Sequence, residues 1–155
     1  MMRTLMLAGL CAIGHTHPAS AQEVKVTTFG KWEVGVGSNF IDAYTINDQG
    51  QRFGLYCADR CVGVVSPPYP CKQGDTGAAL FNTQAGALFL KLACAVYKGD
   101  AVLTFEENPA GAFKNKTDVA FAFPGINATF VTMRFSLNGA AEAYAHMTRE
   151  IEKRQ

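Results

Sequence analysis

Cys57, Cys61, Cys71 and Cys94 are the side chains of this sequence whose chemistry matters most, and their spacing narrows what that chemistry is. Gaps of three, nine and twenty-two residues separate them. Four-thiolate zinc sites use tighter C-x2-C knuckles, so a metal is disfavoured. A catalytic thiol needs an unpaired cysteine with a base beside it. The fifth cysteine, Cys11, falls in an N-terminal leader, which leaves an even number behind. An even number in a short exported chain implies disulfides. Four cysteines allow three pairings. The alternation of Phe53, Leu55 and Cys57, and of Leu88, Leu90, Leu92 and Cys94, puts Cys57 and Cys94 on the apolar faces of their strands. That suggests Cys57–Cys94, with Cys61–Cys71 closing the shorter loop.

Acid–base chemistry is sparse. His15 and His17 lie in the leader, so His146 is the single histidine of the remaining chain. One histidine excludes a two-histidine metal site within one chain. A Ser-His-Asp triad would have to use His146, among alanines on a terminal helix, where a half-exposed helical residue is the simpler expectation. Glu106-Glu107 could serve a glycosidase. Neighbours on a strand point to opposite faces, however, which suits a solvated turn better than a shared substrate. Gly35 and Gly37 lack the Gly-Lys-Ser/Thr continuation of a phosphate loop and read as a strand end or bulge. The sequence therefore predicts no catalytic residue, metal site or cofactor.

Surface chemistry remains. Ser66-Pro67-Pro68-Tyr69-Pro70-Cys71 forbids a regular ladder and reads as a loop with polyproline character, pinned by Cys71. Tyr69, flanked by Pro68 and Pro70, is the candidate contact for a protein partner; packing over its own prolines is the alternative. Trp32, the single tryptophan, is expected in the core rather than stacked on a ligand.

The first residues carry one charge at Arg3, an apolar run from Leu5 to Ile13, and the small residues Ala19-Ser20-Ala21. That order predicts a signal peptide over 1–21, cut after Ala21, and a single domain over 22–155. The run is too short to span a bilayer, which needs about 20 apolar residues, and later apolar stretches are broken by charges and glycines, so no membrane span is expected. Leu10 sets Cys11 one residue off the spacing of a lipoprotein signal. Losing Arg3 with the leader leaves basic and acidic side chains in balance. No basic excess is available to neutralise phosphates, which disfavours nucleic acid.

The elements that must hold these residues are mostly strands. Period-two patterning and turn residues mark strands over 24–28, 32–36, 41–46, 52–57, 61–65, 78–81, 87–97, 101–105, 119–123 and 128–137. Asn108-Pro109 opens a short helix through Lys114. Ala140, Ala143, Tyr144, Met147 and Ile151 then recur at helical spacing, with Asn138 as the expected N-cap. The predicted fold is mainly β: an antiparallel β-sandwich or barrel-like domain with a C-terminal α-helix, stapled by disulfides.

Trp32-Glu33-Val34 opening the domain, a cysteine-bearing β-core, and Phe135-Ser136-Leu137-Asn138-Gly139 followed by Ala143-Tyr144 together resemble the invasion-associated locus B family of exported bacterial proteins. The cysteine that this family often carries soon after the tryptophan is absent here. The resemblance implies a periplasmic or surface-exposed, non-enzymatic role, in some members linked to host-cell entry, and it supplies no catalytic residues. The expected function is thus a periplasmic or secreted binding protein with a protein partner. The alternative is an inhibitor or immunity protein against a cell-wall hydrolase or toxin, with the proline loop as its plug.

Overall fold

Alternation of β-branched and aromatic residues with small or polar ones carries most of the chain into strands. The computed structural model describes residues 24–113 and 117–155, so the expected signal peptide lies outside the described residues. The strands are β1 (Lys25–Phe29), β2 (Trp32–Val36), β3 (Ile41–Ile46), β4 (Arg52–Cys57), β5 (Cys61–Val65), β6 (Thr76–Thr83), β7 (Gly86–Tyr97), β8 (Asp100–Phe105), β9 (Asp118–Pro124) and β10 (Phe130–Ser136). One helix, α1 (Ala140–Glu152), follows. The strands form one antiparallel ten-stranded sheet in the order β1-β2-β3-β4-β5-β8-β7-β6-β9-β10. This is the mainly β architecture with a C-terminal helix that the patterning predicts.

So long a sheet curls until its two halves face each other. Phe53 of β4 shows where they meet: its ring lies 5.9 Å from Phe81 of β6, 5.1 Å from Phe121 of β9 and 5.5 Å from Phe135 of β10. Trp32 is fully buried beside it, at 5.8 Å. The indole N–H of Trp32 donates to the Ser136 carbonyl at 2.9 Å, satisfying the one polar group that the ring takes inside. The expected short helix is a tighter 3-10 turn, Pro109–Phe113, and it sends Phe113 into the same cluster, 5.1 Å from Trp32. Ala140, Ala143 and Met147 bury one stripe of α1, which packs against β1, β2 and β3.

Two local expectations are corrected. Asn138 does not cap α1. Gly139 takes that position, with φ +88° and no side-chain cap bond. A Cβ on Gly139 would fall 1.8 Å from the Phe29 carbonyl oxygen, so only glycine permits this approach of backbone to backbone. Asn138 is drawn into the same contact, its carbonyl accepting from the Lys31 N–H at 2.9 Å. The last strand also begins later than predicted. Asn127 and Ala128 sit at φ +57° and break the extended run, so β10 starts at Phe130.

The disulfide pairing is corrected as well. Cys57 bonds Cys61 and Cys71 bonds Cys94, in place of Cys57–Cys94 and Cys61–Cys71. Cys57 and Cys94 do share the inner surface, but β5 and β8 lie between their strands. Three strand spacings amount to about 14 Å along the sheet, against a ceiling of roughly 7 Å between bridged Cα atoms. Cys61 instead sits directly across the β4–β5 hairpin from Cys57, with Cα atoms 4.0 Å apart. Cys71 reaches back from the proline loop to β7, at 6.1 Å.

Trypsin distinguishes the two arrangements. Cleavage after Arg52, Arg60, Lys72, Lys91 and Lys98 isolates cysteine peptides 53–60, 61–72 and 92–98. The structure predicts one three-peptide species without reductant. Mass spectra showing 53–60 joined to 92–98, with 61–72 released as a separate loop, would restore the other pairing.

Candidate functional site

The proline loop leaves β5 at Ser66, whose hydroxyl accepts from the Arg52 N–H at 2.8 Å while its own N–H donates to the Arg52 carbonyl at 2.8 Å. Its far end is tied three ways. Cys71 is bridged to Cys94, the Gly74 N–H donates to the Cys94 carbonyl at 2.9 Å, and the Cys94 N–H donates to the Asp75 carbonyl at 2.7 Å. Between these anchors Pro67, Pro68, Tyr69 and Pro70 form one wall of a groove of about 520 Å³. Leu92, Leu103 and Phe123 line it from the core side and Pro124 from the end of β9. Tyr69 is 47 % exposed. Its hydroxyl lies near the Pro124-Gly125 turn, where a Cβ on Gly125 would come within 3.2 Å of it. The structure therefore brings Pro68, Tyr69 and Pro70 together on one apolar, conformationally restricted edge.

A second cluster lies on the outer face of β2, β3 and β4, and nothing in the sequence reading singled it out. Asp42 is buried there, 2 % exposed, facing away from the aromatic core. Its Oδ2 accepts from the Tyr97 hydroxyl and, at 3.0 Å, from the Lys98 ammonium; its Oδ1 has no hydrogen-bond partner. Gly35 makes room for it, since a Cβ there would sit 2.3 Å from Oδ1. Beside it the Tyr44 hydroxyl donates to Glu33 at 2.5 Å. The Arg52 guanidinium lies 4.2 Å above the Tyr44 ring and 5.8 Å from that of Tyr97. Burial, then the bond to Glu33 and that carboxylate's charge, push Tyr44 up to about 12. Tyr97 is raised further, by burial first and then by its bond to Asp42. Both phenols are donors at neutral pH, so neither acts as a base. The signals that could have exposed the cluster are the tyrosines and Asp42 on alternate positions opposite strand glycines.

The other candidates stay apart. His146 is half-buried with its ring 5.3 Å from Phe29, as a packed helical residue. Glu106 is exposed and pairs with Arg60 at 3.0 Å. Glu107 lines a small pocket beside α1, as Glu106 also does, with its Oε2 shielded from water and unbonded. Both lie just beyond the end of β8 at Phe105, so strand alternation does not set their directions. Among the described residues no group of three or more His, Cys, Asp or Glu is placed to hold a metal ion. No described helix is long and apolar enough to cross a membrane, which leaves strand-built spans unaddressed.

No family model and no curated protein matches the sequence. The fold is similar to that of the crystal structure of invasion associated protein B from Bartonella henselae. The likeness covers 83 % of this chain and 99 % of that one, at a TM-score of 0.56 and 15 % identity. At that identity it shows a shared fold, the one that the resemblance to the invasion-associated locus B family led us to expect.

Two predictions follow from the outer cluster. Gly35→Ala should displace Asp42 and cost about 1–3 kcal/mol, the usual range for an overpacked site. Denaturant unfolding checks this, and an unchanged midpoint would show that Asp42 moves freely. Alkaline pH supplies the second. Both tyrosines hold their protons more tightly folded than unfolded, so their contribution is complete below about pH 10. It is lost as pH rises through about 12 for Tyr44 and higher still for Tyr97. Unfolding midpoints should fall over that window, and less steeply in a Tyr44→Phe, Tyr97→Phe variant.

Proposed function

We propose that this chain is exported, loses residues 1–21, and acts outside the cytoplasm as a non-enzymatic binding protein with a role in the invasion of host cells. The observation that carries this reading is the fold, similar to that of invasion associated protein B over 83 % of the chain and stapled here by two disulfides. Two disulfides suit an oxidising compartment. The charged n-region, apolar run and Ala19-Ser20-Ala21 of the sequence suit export.

The proline loop is the part we assign to partner contact. An aromatic side chain on a loop fixed at both ends loses little conformational freedom on binding, and the groove beside it offers apolar surface to a complementary chain. Tyrosine is among the residues that dominate protein interfaces. The half-exposed ring at the tip of a tethered loop also fits the inhibitor or immunity reading, in which it would plug the cleft of a hydrolase.

A photo-crosslinking residue at position 69, with another at Thr132 as control, tests the assignment in intact cells. We expect a protein adduct at 69 that the control lacks. A surface or host protein in that adduct supports the invasion reading, and a hydrolase or toxin the inhibitor. Tyr69→Ala should weaken the complex about tenfold or more. Equal yields at both positions would remove the loop from the mechanism. Intact mass of the exported form should begin at Gln22.

A further inference from the structure

We propose that the outer face of the sheet carries a second binding site, a pocket walled by Tyr56 and Tyr97 that takes an uncharged saccharide ring. It shares no residue with the groove beside the proline loop and does not depend on a protein partner there.

The pocket holds about 300 Å³. Its floor is aliphatic, made by Val62 and Val64 of β5, Ala95 of β7 and Val102 of β8. Val64 and Val102 are 3 % and 5 % exposed although they point away from the aromatic core. Asp59 and Arg60, from the turn between β4 and β5, add polar groups to the lining. The site is thus a concavity with an apolar bottom, an aromatic wall and polar groups from one turn.

That wall is held in place. Tyr56 stacks on Phe40 at 5.9 Å and meets Tyr97 edge-on at 4.8 Å. Tyr97 is fixed through its hydroxyl to buried Asp42. Lys98 adds a second fastening. It is the first residue of the two-residue turn between β7 and β8, and it holds φ +52°, where a residue with a side chain is disfavoured. Its ammonium pairs with Asp42 and lies 4.6 Å from the Phe40 ring and 5.0 Å from that of Tyr97. An ion pair therefore offsets strain at the turn, and both act on the tyrosine that walls the pocket. Strain of this kind collects where geometry must be kept. A wall fixed in advance costs little further ordering on binding.

Charge selects the class of ligand. Asp42 is answered by Lys98 and Glu106 by Arg60, while Asp59 in the lining and Arg52, 5.8 Å from the Tyr97 ring, add one charge of each sign, so the surroundings carry no excess charge to attract a phosphate or a polyamine. Tyrosine rings and valine methyls suit the C–H faces of a pyranose, whose hydrogens are weakly positive and favour the negative face of an aromatic ring. The Asp59 carboxylate and the Arg60 guanidinium supply an acceptor and donors for its hydroxyls.

The test is a heteronuclear NMR titration of the exported, disulfide-bonded protein with chitohexaose, cellohexaose and maltohexaose in turn. We expect saturable shifts at Tyr56, Val62, Tyr97 and Thr104 with at least one of them. Tyr56→Ala should weaken that binding about tenfold or more. Val62→Phe, which fills the pocket and leaves both tyrosines in place, should do the same without moving the signals of the proline loop. If Tyr56→Ala proves unfolded by its melting temperature, Val62→Phe decides alone. No saturable shift with any of the three saccharides overturns the proposal. So does a saturable shift that persists undiminished in Val62→Phe.

Discussion

Phe53 is the contact on which the rest of this protein depends. A ten-stranded antiparallel sheet has one neighbour on each side of an inner strand and nothing to dictate where its far ends go. The rings of Phe53, Phe81, Phe121 and Phe135 decide this by drawing β4 against β6, β9 and β10. Losing one buried aromatic ring from such a core costs about 3–5 kcal/mol, a large part of the stability of a small domain. The ladders fix which strands are neighbours, and the aromatic cluster fixes which faces meet.

That inward closure leaves the outer face to be settled separately, and there the physics is polar. Asp42 is almost as deeply buried as the core residues, yet it lies on the opposite side of the sheet. A buried carboxylate is tolerated only where partners replace the water it has lost. Tyr97 and Lys98 meet that need at one oxygen, and Gly35 keeps the other from being pushed out of place. The outcome is a rigid polar and aromatic layer outside a rigid apolar one.

Much of the first layer was legible in the sequence. Alternation marked β2 through β5 at the bounds that the structure has, and the change of period at Ala140 marked α1, because both signals are local. Trp32 was placed in the core on its residue type, because a large aromatic ring is more often buried than stacked on a ligand. The pairing of the cysteines was not legible. A shared face is a property of one strand, whereas a bridge requires neighbouring positions in space, and strand order decided those. Asn138 failed as a cap because of a contact with Phe29 and Lys31 more than a hundred residues earlier in the chain. The Asp42 cluster escaped notice likewise: it joins β3 to the β7–β8 turn, fifty-five residues away at Tyr97, across a distance that no local window covers.

The proline loop shows how the two kinds of information combine. Its sequence already announced stiffness, because three prolines restrict the backbone whatever surrounds them. What it could not announce was direction. The Cys71–Cys94 bridge ties the loop to β7, a strand whose inner side chains belong to the core. Leu92, two positions from Cys94, both packs in that core and lines the groove. The loop and the groove beside it are therefore continuous with the hydrophobic core. A loop anchored in this way presents Tyr69 in one place rather than many, and much of the cost of ordering a contact residue is met when the protein folds instead of when it binds.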